Sequence, residues 1–304
     1  MMSTRANLLS KNFCSARLLL LLTLANLATL SASSSTLNET AKHFHSISKE
    51  GVKFYRKHEY VDAIKMFEQA VGLAESAGLS PEQRANAYLN LCTCQSDNND
   101  YKNAELTLKL AERIITENKV DNPALTIRLL RRQTRIEEHR YDFSGAAARQ
   151  AELCKLYEQD IGRLVVSNFS EMARLQHLEL RAKHYQRSIT IGNELLSLIS
   201  KFRVLPDADI NIRVRLTQGT ALILTGQKRL GYDQLSQVYE PAKESSPDLA
   251  AYAAAWLAYC AGTDKNETQR IYWMNRLAAV AEASQQSPKH WCDQVQHEIN
   301  NAPH

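Results

Sequence analysis

Arginine is the residue type whose spacing in this chain points to chemistry. Arg128, Arg131, Arg132 and Arg135 recur at steps of three and four, Arg174, His177 and Arg181 repeat that rhythm, and Arg213 follows. Residues three and four apart share one face of a helix, so each set presents a row of guanidinium groups. The planar fork of an arginine recognises a carboxylate through two parallel hydrogen bonds. Binding of an acidic segment or a chain terminus is therefore the chemistry this pattern offers. The competing reading is a solvated arginine face, already neutralised by Glu137, Glu138 or another nearby acid.

Catalytic arrangements are not visible. The chain has no Walker A loop, dinucleotide-binding glycine fingerprint, Gly-x-Ser-x-Gly elbow or His-Glu-x-x-His pair, and none of its ten glycines form a phosphate-cradling loop. His43 and His45 diverge on a helix, whereas His290 and His297 share a face but lack a third ligand. No metal or cofactor is expected, and the chain reads as a non-enzyme. Five cysteines follow the leading segment: Cys92, Cys94, Cys154, Cys260 and Cys292. The odd count excludes complete pairing within the chain. Buried free thiols are the plain reading, with Cys260 and Cys292 as the candidate disulfide.

The elements that must position these side chains announce themselves from Gly51 to Ala77. Ile47, Gly51 and Phe54 form one helical stripe and Ala63, Phe67 and Ala70 another, across a break at Lys57-His58-Glu59. Gly51 and Ala63 sit where two antiparallel helices approach closely, with Phe54 and Phe67 beside them. The pattern recurs. Tyr60-Val61-Asp62-Ala63 is answered by Tyr101-Lys102-Asn103-Ala104, Phe143-Ser144-Gly145-Ala146 and Tyr185-Gln186-Arg187-Ser188. Gly219 and Leu222, followed by Gly231, Leu235 and Val238, make a fifth instance. The small residue returns every 41 to 43 residues. Ser80-Pro81, Asn122-Pro123, Ser246-Pro247 and Ser287-Pro288 carry helix-start signals on the same period, and Pro206 falls near the missing beat. One such hairpin cannot bury its apolar stripe alone, so neighbours must stack.

Small and aromatic residues at these offsets resemble the tetratricopeptide repeat (TPR), in the long-period variety found in kinesin-light-chain-type repeats. The resemblance covers residues 41–283. It implies an all-α, right-handed α-solenoid of about six hairpins, closed by a C-terminal capping helix within 284–304. The hairpins are expected at about Ala41 to Ala77, Pro81 to Asn118, Pro123 to Asp160, Val165 to Ser200 and Asp207 to Tyr239. The sixth runs from Pro247 to Ala261, with Gly262 as C-cap, and from Thr268 to Ala283. In such arrays the first helix of each hairpin lines a concave groove. The resemblance thus places Arg128, Arg131, Arg132, Arg135, Arg174, His177, Arg181 and Arg213 on its inner wall. Asn90, Arg128 and Arg132 match part of the carboxylate clamp of chaperone-binding members, whereas Ser48 and Val52 depart from it. Tyr252, Trp256 and Tyr259 share a helical face and read as core packing.

Residues 1–33 are read separately. Arg5, Lys11 and Arg17 precede an apolar run from Leu18 to Leu30 and the small residues Ser31-Ala32-Ser33-Ser34. This is the layout of a secretory signal peptide, and the run is short for a membrane span. A signal anchor is the alternative, and 34–40 reads as a flexible start. The whole chain has 37 basic and 33 acidic residues. Setting aside three basic residues in 1–33 leaves 34 against 33, which gives no reason to invoke nucleic acid. Asn38, Asn168 and Asn266 open glycosylation sequons. The reading is an exported, non-catalytic scaffold that binds a protein or peptide partner in its groove, or alternatively a permanent subunit of an envelope or secretion assembly. N-terminal sequencing of the exported protein is expected to start near Ser33 or Ser34. An intact Met1 in a membrane fraction would favour the anchor.

Overall fold

The computed structural model describes residues 39–160, 166–205 and 208–302. The expected signal segment, residues 34–38 with the Asn38 sequon, and Pro206 lie outside these residues. Thirteen helices account for nearly all the described residues, with no strand among them. They are α1 (39–56), α2 (Tyr60–Ser76), α3 (Pro81–Asp97), α4 (Tyr101–Glu117), α5 (Pro123–His139), α6 (Phe143–Asp160) and α7 (Val166–Arg181). There follow α8 (Tyr185–Lys201), α9 (Asp209–Leu224), α10 (Lys228–Ser245), α11 (Pro247–Thr263), α12 (Glu267–Ala281) and α13 (Pro288–Asn300). The chain divides into two compact units, residues 1–125 and 126–304. In the first, α2, α3 and α4 pack in sequence; in the second, α6 through α12 do so, with α13 against α11 and α12. This is the architecture of an α-solenoid built from consecutive helical hairpins.

Local chemistry starts each helix. Ser80 and Gln83 form a reciprocal capping box at α3, each bond 3.2 Å long. Asp100, Asn122, Asn266 and Ser287 each accept a backbone N–H at the start of a later helix. The turns inside the hairpins are built alike. His58, Asn99, Tyr141, Lys183, Gly226 and Lys265 all take a left-handed backbone, 39 to 43 residues apart. Each is followed by a residue whose N–H returns to a carbonyl five back, as from Glu59 to Phe54 and Asp142 to Glu137. This Schellman closure satisfies helix-end carbonyls even without glycine. It also moves one expected boundary. Helix α11 runs through Gly262 to Thr263, because Lys265 takes the left-handed position. Helix α10 likewise continues beyond Tyr239 through Pro241, held by the buried Tyr239 and Ala242 on either side.

The core follows the repeat. Ala63, Ala104, Ala146 and Ser188 are fully buried at equivalent points, and Gly231 is buried too. Phe67 fills the space that a Cβ on Gly51 would need, at 2.9 Å. A Cβ on Gly219 would lie 3.0 Å from the Gly231 carbonyl, so α9 and α10 meet backbone to backbone. Four of the five cysteines are buried, Cys292 is partly exposed, and none of the five is in a disulfide. The disulfide expected between Cys260 and Cys292 does not form. Cys260 is enclosed in the α11 core, while Cys292 sits at the margin of that core. Asn168 is only 1 % exposed, which leaves its sequon inaccessible in the folded chain.

Between α7, α8 and α9 the close-approach rule is inverted. Gln176, buried on α7, stands where other repeats place the small residues Gly51, Cys92 and Gly219, and the buried Gln218 meets it from α9. The Gln176 Nε2 donates to Gln218 Oε1 at 3.2 Å, and Gln218 Nε2 donates to Asn193 Oδ1 at 2.8 Å. Gly192 on α8 makes room for the pair, since its Cβ would lie 1.9 Å from Gln218 Oε1. Gly192→Ala is expected to cost about 1–3 kcal/mol of unfolding free energy, because buried amides cannot move aside without losing partners. Urea unfolding checks this; a loss under about 0.5 kcal/mol would show that the glutamines yield freely.

Candidate functional site

The second unit contains a cavity of about 840 Å³. Its walls are the first helices of successive hairpins, α7, α9 and α11, together with α13. That size lies in the range of sites that enclose a small ligand or a short peptide, roughly 300–1,000 Å³. Leu216, Leu224, Leu249 and Trp291 supply apolar surface, and Arg174, His177, Arg181 and Arg213 bring nitrogen to the α7 and α9 walls. Helical spacing explains the α7 set, because Arg174, His177 and Arg181 are three and four apart.

Each of these cations is held by the protein. Arg174 pairs with Glu138 on α5, and Arg213 pairs with Asp209 at 2.7 Å. Arg181 lies over the Phe143 ring at 4.3 Å. A guanidinium has five N–H donors, so one carboxylate or one ring face leaves donors for a ligand. His177 contributes no charge. Its ring faces the solvent of the cavity, yet the enclosing walls and then Arg181, Arg213 and Arg174 lower its pKa to about 4. It is a neutral imidazole at pH 7.

The opposite wall is acidic and aromatic. Tyr252 donates to Glu298 Oε2 at 2.5 Å, joining α11 to α13. Burial first, and then the Glu298 charge, push the Tyr252 phenol well above its usual value. Burial also raises Glu298, against the Tyr252 hydrogen bond and Arg181, which hold it down. Asp248 stands one helical turn before Tyr252, and the Trp291 ring lies 6.3 Å from that of Tyr252. Thr220, on α9, is fully buried with its hydroxyl against the Tyr252 phenol, whose pKa it draws down.

The other arginines of the sequence pattern are placed differently. Arg128, Arg131, Arg132 and Arg135 are half-buried on α5, outside the cavity lining. Arg131 donates to Glu171 and to the Tyr157 hydroxyl, each at 2.6 Å. Glu171 also receives Gln150 at 2.7 Å, so Arg131 is a strut between hairpins. Asn90, half-buried on α3, belongs to the first unit, and Arg128 and Arg132 to the second. Tyr252 corrects the reading of its helix: Trp256 is core, with no exposure, but Tyr252 is cavity wall. Sequence reasoning missed Asp248, Trp291 and Glu298, because their common face exists only once α11 and α13 are packed. No group of three or more His, Cys, Asp or Glu that could hold a metal occurs among the described residues. No helix among them is long and apolar enough to cross a membrane. Arg131→Ala is expected to lower stability by about 1–2 kcal/mol, discounted for partial exposure, and Arg132→Ala by less than about 0.5. Chemical denaturation distinguishes the two; equal losses would remove the strut assignment.

No protein-family model matches this chain, and no curated protein does. Solved structures do. The apo form of RapI aligns with a TM-score of 0.63 and 11% identity, covering 89% of this chain and 85% of RapI. BtubC (BKLC) from P. vanneervenii aligns at 0.56 and 11%, covering 82% of this chain and 93% of that one. The TPR-like repeats of a putative kinesin light chain from Podosopora anserina align at 0.55 and 12%, covering 67% and 97%. At such identities the likeness is one of fold, and the fold is that of a TPR-like α-solenoid.

Proposed function

We propose that this chain is a non-catalytic scaffold that binds a protein or peptide partner, and that the cavity of the second unit is where the partner's recognition segment sits. One observation carries this reading. Arg174, His177, Arg181 and Arg213 converge on a single concave space of about 840 Å³ that also offers apolar surface. Their protein partners fix the guanidinium groups in advance, which lowers the ordering cost of binding. A carboxylate entering this wall meets charged donors, each bond contributing about 1.5–3 kcal/mol where water is excluded and less where it is not. A short segment with one or two acidic residues beside an apolar side chain suits these surfaces. The basic, apolar and small-residue layout of residues 1–34 supports export as the setting.

Fluorescence anisotropy with a labelled hexapeptide bearing two glutamates and a leucine tests the site. Arg181→Gln with Arg213→Gln is expected to weaken binding at least tenfold, and raising salt from 50 to 500 mM is expected to weaken the wild type, at about these magnitudes. Affinity unchanged by both would move the binding site elsewhere on the solenoid.

A further inference from the structure

We propose that the α11–α13 wall of the cavity is a subsite for a primary ammonium group, either a free α-amine or a lysine side chain, carried by the same ligand whose carboxylate meets the arginines. This deepens the peptide-binding reading and rests on it. Glu298 is half-buried, faces the cavity, and forms no ion pair among the described residues. Its only close contact is the Tyr252 hydroxyl on one oxygen; the other oxygen has Gln294 at 3.5 Å. A carboxylate removed from water without a cation is costly, and a cationic donor relieves that cost.

Two further features select an ammonium. Tyr252 and Trp291 present two aromatic rings 6.3 Å apart, and ring faces attract a cation. Asp248 adds a second carboxylate one turn from Tyr252, so an anion is repelled here. An ammonium brings three donors and no acceptor, which matches a wall of two carboxylates and two aromatic rings. Arg181 lies within electrostatic reach of Glu298 but is stacked on Phe143 and does not pair with it. The cavity is therefore bipolar, basic on α7 and α9 and acidic on α11 and α13. It fixes the direction in which a short ligand lies.

The test uses a random hexapeptide pool, each member with one glutamate and one lysine, in three forms: untreated, acetylated at the N-terminus only, and acetylated at every amine. Each pool is incubated with the purified protein, and retained peptides are counted by mass spectrometry. The untreated pool is expected to be retained at least about tenfold over the fully acetylated one, and Glu298→Gln or Asp248→Asn to reduce that ratio. The half-acetylated pool tells the two amine sources apart: it follows the untreated pool for lysine and the fully acetylated pool for an α-amine. Equal retention of untreated and fully acetylated pools overturns the ammonium subsite and leaves the peptide-binding reading standing. Retention of none overturns both.

Discussion

The close approach of two helices inside each hairpin is the constraint on which the rest of this structure depends. Ala63, Ala104, Ala146 and Ser188 have no exposed surface, and each lies early on the second helix of its pair. A larger side chain there would push the pair apart and open the next interface, since each hairpin packs only on its neighbours. The left-handed turn residues enforce the same geometry from the loop side. That Tyr141, Lys183 and Lys265 accept this conformation without being glycine shows how firmly packing outweighs local preference.

Where the rule is relaxed, polarity enters the interior. Gln176 replaces a small residue, and with its partner Gln218 it is tolerated because Gly192 yields volume and Asn193 yields a partner. A buried amide network fixes register more strictly than interchangeable apolar contacts do, because a shift by one turn strands donors. These glutamines lie directly behind the helix faces that form the cavity, on α7 and α9. A fixed register there sets the positions of Arg174, His177 and Arg213. Core specificity and site geometry are thus two faces of the same helices.

The fold was legible in the sequence because its signal is local. Small residues, capping residues and prolines repeat on one period, and each reports on helices only a few residues away. The cavity was legible by half. Arg174, His177, Arg181 and Arg213 share faces through spacing alone, and they do meet in one space. Asp248 and Glu298 are 50 positions apart in the chain, on helices read as core and cap, so no local pattern joins them. Tyr252 shows why: its helical face is the same whether it meets the core or a cavity, and only α13 decides which.

The rest of the arginine pattern depends on the neighbouring hairpins, which a single helix does not show. A row of like charges on one helix looks unsatisfied when only that helix is considered. For several of these arginines the paired acid belongs to the adjacent hairpin, about one repeat away. Arg131 meets Glu171 at a separation of 40 residues, Arg174 meets Glu138 at 36, and Arg276 meets Glu240 at 36. The neutral pairs obey the same offset: Gln176 with Gln218 at 42, and Trp273 with Tyr232 at 41. The repeat period thus sets the range of the side-chain pairs between hairpins as well as the spacing of the helices. A charge in such a chain is available to a ligand when the position one repeat before or after it holds no counter-ion, or when its partner leaves donors over. Arg181, stacked on a ring rather than bound to an acid, meets the first condition, and Arg174 and Arg213 meet the second. Glu298 meets the first from the acidic side, which is why the same cavity holds both signs of charge.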